Sequence, residues 1–431
     1  MREPPDKLFK KAARKHESGD LAAARTLYKR ILKKHPDHID SLYMYGTLCA
    51  EQNDLKTART YLLRAAELAP LSPLIHNNLG NVYLKSGQYG LAADCYRQTL
   101  TLDPKMVQAN YNLGQAAIRL GQLPEAAAAL ENALALQPGL VQAQLSLARV
   151  YMDLGQYPKA IRLLRQVLAA QPDNAHALHA LGSAHAARGG NEEAIACYDR
   201  LLELNPDDGS AKHARATLRG ETPARAPRQH VAGIFDGLSG RFDQHLRQLG
   251  YQVPQWIHDA LLELTGAEHK FSRMLDLGCG TGMAGTLFRD NVTRLEGVDL
   301  SPGMIEQAKA KGVYDRLYVA DLLDHLKQAP GPYDLLVATD VFTYLGDLRP
   351  IFSAVAGASA PGAWFLFSIE ECKGEDYRLL PTGRYAQSAA YIASLAEAHG
   401  YRIELERAVV IRKEQVKEIP GRIYLLRFSQ A

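Results

Sequence analysis

The chain has 431 residues, 47% hydrophobic and 23% charged, which is the composition of a folded globular chain and not of a disordered one. At about 150 residues per domain, that length makes two or three domains. Fifty Lys and Arg against 47 Asp and Glu leave a formal net charge of +3, which disfavours nucleic acid as a partner.

Five scattered cysteines, Cys49, Cys95, Cys197, Cys279 and Cys372, form no Cys-x-x-Cys pair, which argues against a disulfide framework and a structural metal. The stretch from Arg2 to Asp20 is charged where a signal peptide needs an apolar core, and no run of about 18 apolar residues occurs. The expectation is a cytoplasmic protein without a membrane segment. Residues 1–35 carry eleven Lys/Arg against four Asp/Glu, a basic start that a solvated helix face or an acidic partner would explain.

Self-similarity dominates the first half. Prolines stand at Pro36, Pro70, Pro104, Pro138, Pro172 and Pro206, 34 residues apart. Twelve residues before each comes an alanine, from Ala24 through Ala58, Ala92, Ala126 and Ala160 to Ala194. A second small position runs Ala12, Gly46, Gly80, Gly114, Ala148, Gly182, and a bulky one runs Tyr28, Leu62, Tyr96, Leu130, Leu164, Tyr198. Gly19, Asn53, Gly87, Gly121, Gly155 and Gly189 mark turns between two short amphipathic helices per period. This resembles six tetratricopeptide repeats over residues 5–208, with residues 208–218 as a capping helix. The resemblance implies an all-α solenoid whose groove binds a protein or peptide, with Asn78, Asn81 and Asn112 on the groove side. Scaffolding or self-association is the other reading of the same groove.

The register stops after Leu218. Residues 220–229, with two prolines and two arginines, read as an extended, solvated linker. Strands then alternate with helices: strands at Arg273–Leu277, Leu295–Asp299, Leu317–Asp321, Asp334–Thr339, Ala363–Ile369, Arg402–Ile411 and Arg422–Phe428. Helices are predicted at Met283–Arg289, Pro302–Lys311, Leu348–Ala358 and Tyr385–His399. The last two strands, joined by the polar segment Arg412–Gly421, should close one edge as an antiparallel hairpin.

The central motif is Asp276-Leu-Gly278-Cys279-Gly280-Thr-Gly282, ending the first strand and opening a helix. Such glycines let the backbone approach a ligand closely, and free N–H groups at a helix start meet its polar part. Asp299, ending the second strand ahead of Leu300, can accept from both hydroxyls of a ribose, and Asp321 is placed for an adenine amino group. Gly280-Thr-Gly282-Met-Ala-Gly285 also satisfies the dinucleotide pattern G-x-G-x-x-G, so a nicotinamide oxidoreductase must be weighed. Asp276 would repel a pyrophosphate, and the closing hairpin departs from an all-parallel nicotinamide fold.

The motifs DLGCGTG, GVDLS and VAD in this order resemble those of class I S-adenosylmethionine-dependent methyltransferases. The segments Phe235–Leu246, Gly383–Ser388 and Val410–Glu414 are similar to those of the bacterial methyltransferases that carry tetratricopeptide repeats. The implied architecture is a repeat domain (1–219), a linker (220–229) and an α/β Rossmann-like methyltransferase domain with a closing antiparallel hairpin (230–431). The implied cofactor is S-adenosyl-L-methionine. Its methionine part would be held by Asp276 and the loop Gly278–Gly282, including Cys279 and Gly280, its ribose by Asp299 and Leu300, and its adenine between Met304 and Leu322 with Asp321. Asp340 would lie beside the transferable methyl. A His commonly occupies the position of Gln387 in that family, so this chain would do without it there.

The candidates for a catalytic base, where one is needed, are His245 first and then Tyr344, Glu370 and Tyr385. Phe235, Phe242 and Tyr344 could offer aromatic faces to a cation, and Arg384 and Arg412 could hold an acceptor carboxylate. Three functions compete: methyl transfer to an O or N nucleophile of a protein or peptide recruited by the repeats, the same chemistry on a small molecule or carrier-bound metabolite, and a non-catalytic repeat adaptor. The complete cofactor motifs argue against the adaptor.

Overall fold

The computed structural model describes residues 4–328, 331–414 and 417–429. Contacts divide the chain into two compact units, with the boundary between Cys197 and Tyr198.

The first unit is built from helix pairs: α1 (Pro5–Glu17) with α2 (Leu21–Lys34), α3 (Ile39–Glu51) with α4 (Leu55–Leu68), α5 (Pro73–Lys85) with α6 (Tyr89–Leu102). Then come α7 (Val107–Leu120) with α8 (Leu123–Leu136), α9 (Val141–Asp153) with α10 (Tyr157–Ala170), and α11 (Ala175–Ala187); the boundary falls within α12 (Asn191–Leu204). The periodic alanines are fully buried. A Cβ on Gly46 would come within 2.7 Å of Leu62, on Gly80 within 2.7 Å of Tyr96, and on Gly114 within 2.6 Å of Leu130. The small residue exists because the bulky one occupies its place. Asn53 stands with φ +61° where the other turns have glycine, a conformation asparagine tolerates better than most residues.

Asn78, Asn81 and Asn112, expected on the groove side, line one surface cavity together, and their amides are also bonded within the repeats. Asn78 Nδ2 donates to Tyr43 Oη and Thr47 Oγ1, both at 3.1 Å, and Asn112 Nδ2 donates to Asn81 Oδ1 at 2.8 Å. Tyr96 Oη donates to the same Asn81 oxygen at 2.8 Å. These amides tie successive repeats together, because the 34-residue period brings equivalent polar positions within hydrogen-bond reach.

The second unit contains α13 (Gly209–Arg219), α14 (Arg228–Leu238), α15 (Phe242–Gln248) and α16 (Val253–Thr265), followed by an α/β region. There β1 (Phe271–Leu277), α17 (Met283–Phe288), β2 (Val292–Asp299), α18 (Pro302–Lys311), β3 (Arg316–Val319), α19 (Leu322–Gln328), β4 (Tyr333–Ala338), α20 (Arg349–Ala358) and β5 (Ser359–Glu371) alternate. The chain ends with β6 (Tyr377–Leu379), β7 (Tyr385–Gln387), α21 (Ala389–Ala398), β8 (Tyr401–Glu414) and β9 (Lys417–Phe428). The strand order is β3-β2-β1-β4-β5-β7-β6, with β9 antiparallel to β5 and β8 antiparallel to β9.

Alternation along the central strands covers both faces. Leu275, Leu277, Phe365 and Phe367 pack with Phe352 of α20 and Leu395 of α21, whereas Met274, Leu295, Leu335 and Leu366 pack with Ile257 and Leu261 of α16. Between β1 and β4 the order reverses direction, which opens a crevice beyond their carboxyl ends.

Some predicted elements shift. The helix expected from Tyr385 begins at Ala389 with Ser388 as its N-cap, and Tyr385–Gln387 pairs instead with the end of β5. The polar segment expected as a connector is largely strand, β8 running to Glu414 and β9 starting at Lys417; residues 415 and 416 lie outside the described residues. The segment's polar residues divide, Lys413 and Glu418 facing water and Arg412 buried against Glu370, so polarity there does not mark a loop.

Candidate functional site

The crevice begins at the glycine loop after β1. Gly278 has φ +69°, and a Cβ there would meet Val341 at 2.6 Å. A Cβ on Gly280, φ +54°, would have Phe242 at 3.8 Å as its near neighbour, so the cavity that both residues line reaches the bare backbone. Asp299, at the end of β2, accepts from Gly280 N–H at 2.9 Å through Oδ2 and from Ser301 N–H at 2.8 Å through Oδ1. Burial raises its pKa against those hydrogen bonds. Each oxygen keeps acceptor capacity, which suits a pair of hydroxyls.

Helices α14 and α15 supply a wall. Phe235, Phe242 and Leu246 line the cavity from this side. Their position is fixed by two aspartates. Asp236 accepts from Ser301 Oγ at 2.5 Å and from Gly303 N–H at 3.1 Å; Asp243 accepts from Thr281 Oγ1 and pairs with Lys311 at 2.8 Å. Burial pushes the Asp243 carboxyl up, but its bonds to Lys311 and Thr281 outweigh that and hold it below its usual value.

The segment read as a solvated linker is bound in place. Arg225 reaches Asp321 at 2.6 Å, and Arg228 reaches Asp321 at 2.9 Å and Asp324 at 2.6 Å. Ala226 N–H donates to Tyr344 O at 3.0 Å, and Ala224 O accepts from Gly346 and Asp347 N–H. Its low apolar content predicts an extended chain, which it is. Its arginines, however, find the acidic start of α19, and its backbone pairs with the loop after β4.

Beyond β4, Thr339, Asp340, Val341 and Tyr344 line the far end of the cavity, with Tyr251. Asp340 has φ +57° and donates its N–H to Ser368 Oγ at 2.9 Å. Its Oδ1 lies 3.6 Å from Arg412 Nη1. Arg412, only 2% exposed, reaches Glu370 Oε1 with Nη2 at 2.5 Å, and Arg384 approaches the same oxygen at 3.5 Å. Gln387 is fully buried and donates to Phe342 O at 3.1 Å and Leu345 O at 2.6 Å, which braces the loop carrying Tyr344.

One cavity therefore gathers Gly278, Cys279, Gly280, Asp299, Leu300, Asp321, Leu322, Asp340 and Tyr344 from the sequence expectations. Other expected residues stand elsewhere. Asp276 is buried behind the loop, where it accepts from Tyr314 Oη at 2.6 Å. Burial raises its pKa to about 7, so at neutral pH it is a poor fixed anion for an ammonium group. Gly282 lies against Tyr314, and a Cβ there would come within 2.8 Å of that ring. Met304 is fully buried beneath the turn after β2, and Leu300 and Leu323 offer apolar surface in its place. His245 points to solvent while the next residue, Leu246, faces the cavity. Tyr385 is buried among Ala216, Ala226 and Leu379, and burial pushes its phenol far up. Glu370, Arg384 and Arg412 form an inward ion network and do not line the cavity.

Sequence reasoning missed Arg225, Arg228, Leu246 and Tyr251. The arginines had a signal, two charges spaced three apart in an otherwise featureless segment. Tyr251 had none, because it lies in the short connection between α15 and α16 and only the fold brings it to the cavity wall.

The cavity fits the cofactor implied by the motifs. Bare backbone at Gly280, a carboxylate oriented by two N–H groups at Asp299, and apolar Leu300 and Leu322 next to Asp321 match the needs of a loop-bound nucleoside.

Both halves of the chain are similar to known proteins. Residues 245–406 match the model of a methyltransferase domain; residues 15–80 and 73–106 match tetratricopeptide repeat models, and residues 95–212 match the repeat domain of cytochrome c-type biogenesis protein H. Human methyltransferase-like protein 27 is 36% identical over 107 residues, 24% of this chain and 43% of that protein. The malonyl-[acyl-carrier protein] O-methyltransferase of Serratia marcescens is 26% identical over 33% of this chain and 52% of its own length. The ubiquinone biosynthesis O-methyltransferase of Bordetella pertussis is 26% identical over 30% and 58%. The chain thus spans about half the length of the curated relatives it matches. Among solved structures, YrrB, a repeat protein with an unusual peptide-binding site, is 22% identical with a TM-score of 0.42 over 44% of this chain and 97% of that one. Among the described residues no helix is long and apolar enough to cross a membrane. The chain joins tetratricopeptide repeats to a methyltransferase domain.

Proposed function

We propose that the second unit transfers a methyl group from S-adenosylmethionine to an O or N nucleophile, and that the repeats recruit the protein or peptide bearing it. The observation that carries this reading is Asp299, held by Gly280 and Ser301 N–H at the rim of a cavity that continues to Asp340 and Tyr344. When bound, the cofactor would supply a methyl group activated by its positive sulfur, for transfer to the lone pair of the acceptor.

The chain's residues bind, orient and exclude water. The loop Gly278–Gly280 offers backbone, Asp299 takes the ribose hydroxyls, and Leu300 and Leu322 face the adenine with Asp321 at its edge. Phe235, Phe242 and Leu246 close the cavity, held by Asp236 and Asp243. Because Arg225 and Arg228 hold Asp321, the proposed catalytic unit includes residues 220–229 as well as 230–431.

A second reading, with a small-molecule or carrier-bound acceptor and the repeats serving assembly, is favoured by the relatives named for acyl-carrier protein and ubiquinone biosynthesis. Calorimetric titration of the full chain with S-adenosylmethionine, S-adenosylhomocysteine and NAD tests the common core of both. The two sulfur nucleotides should bind and NAD should not; binding of NAD alone overturns the assignment.

A further inference from the structure

The far end of the cavity has a charge and a lining that restrict the acceptor. The ionisable side chains on the cavity wall are Arg225, Arg228, Asp299, Asp321 and Asp340, with Tyr251, Tyr344 and Cys279, whose thiol is kept protonated by burial. Arg225 and Arg228 are both paired with Asp321, Arg228 with Asp324 as well, and Asp299 stands at the glycine loop. At the acceptor end this leaves the Asp340 carboxylate among aromatic rings. Phe235 stands edge-on to Tyr344 at 5.3 Å and to Phe242 at 5.8 Å, and all three line the space that Asp340 enters.

Asp340 is held there by more than packing. Its backbone is in the left-handed region, where a non-glycine residue is uncommon, and its N–H is anchored on Ser368. Behind it, Arg412 contacts its Oδ1 and is itself bound to Glu370, so the guanidinium supports an anion at Asp340 without reaching the cavity. Burial, with Asp340 adding to it, raises the Tyr251 hydroxyl well above its usual range, so a second anion does not form beside it. An acceptor carboxylate would meet Asp340 with, among the described residues, no cation of the cavity wall free to receive it.

We infer that the acceptor is an amine, bound as its ammonium form between the Asp340 carboxylate and the faces of Phe235, Phe242 and Tyr344. This rests on the methyltransferase reading above and narrows it to nitrogen. Cation–π attraction and a charge-assisted hydrogen bond act on the same group. The ammonium passes one proton to the Asp340 carboxylate, which frees the nitrogen lone pair. Once the nitrogen carries the methyl it is positive again, and Asp340, after releasing its proton to water, is its counter-ion.

The test uses the full chain saturated with S-adenosylhomocysteine and titrated with benzylamine or phenylacetate, binding being followed by ligand-observed NMR. Benzylamine should bind and phenylacetate should not, and Asp340→Asn should weaken benzylamine by about tenfold. Asparagine tolerates positive φ, so the variant should keep its melting temperature. If it does not, Phe235→Leu, on a helix without buried residues, gives a second reading, with an expected loss of about two- to fivefold. Binding of phenylacetate, or benzylamine affinity unchanged by both variants, overturns the amine assignment while the methyltransferase reading stands. Failure of S-adenosylhomocysteine itself to bind sinks the methyltransferase reading instead.

Discussion

In the repeats a single steric relation recurs: Gly46 lies against Leu62, Gly80 against Tyr96 and Gly114 against Leu130, each 16 residues on. Around the cavity each contact is of its own kind. Asp236 holds a turn, Asp243 a threonine and a lysine, Asp299 two backbone N–H groups, and Asp321 two arginines. The repeats gain stability from many equivalent apolar contacts, so any one is replaceable in kind. The cavity depends on polar groups that range from exposed Asp236 to buried Asp299, and each serves one position. If this contrast is right, substitutions in the two regions should differ in sign and in pH dependence.

The largest effect should come from Asp276. Its folded pKa of about 7 lies above the usual carboxyl value of 3.8, chiefly through burial. The folded state therefore binds the proton more tightly than the unfolded one. Its contribution to stability is complete below about pH 4 and lost as pH rises through 7, a total on the order of 4 kcal/mol. Asp299 shifts in the same direction and adds to the slope. Asp276→Asn should flatten much of this dependence and make the protein more stable than wild type at pH 8. Urea unfolding at pH 5, 6, 7 and 8 measures it. A constant difference between variant and wild type across that range would mean that the carboxyl is not buried as described.

Next in size is Asp299→Ala. It strands the N–H groups of Gly280 and Ser301 and removes the proposed ribose contact. Cofactor affinity should fall by about 2–4 kcal/mol, roughly 30- to 1,000-fold. Calorimetry with S-adenosylhomocysteine reads this directly, and an unchanged affinity would sink the placement of the ribose.

How much could be read in advance follows the same division. The repeats were legible because periodicity averages over six copies, and one exception such as Asn53 still stands out by position. The strands of the sheet were legible from apolar runs, and the glycine loop, Asp299 and Asp321 from spacing. What failed, at several positions, was the inference from residue type to the direction a side chain faces. His245 and Leu246 are neighbours on one short helix, and only the second faces the cavity. Asp276 follows the motif, yet a tyrosine 38 residues later takes its carboxylate. Arg225 was read as solvated because nothing local pairs with it; its partner is 96 residues away. Sequence patterns report local periodicity, whereas the pairings that build this site are long-range and occur once.

The smallest predicted effect probes the repeat side, with the same substitution at two helical glycines. A Cβ on Gly90, in α6, would meet nothing within 4 Å, and the φ of this residue is not positive. Gly90→Ala should therefore stabilise by up to about 1 kcal/mol through helix propensity. Gly114, in α7, would place the same methyl 2.6 Å from Leu130 Cγ, the branch atom of a fully buried side chain. Relief there requires a shift in a packed interior, at a cost of about 1–3 kcal/mol that exceeds the propensity gain. Gly114→Ala should then lower the thermal midpoint while Gly90→Ala raises it. If both raise it, the small-against-large packing rule does not limit the repeats, and their periodic glycines need another explanation.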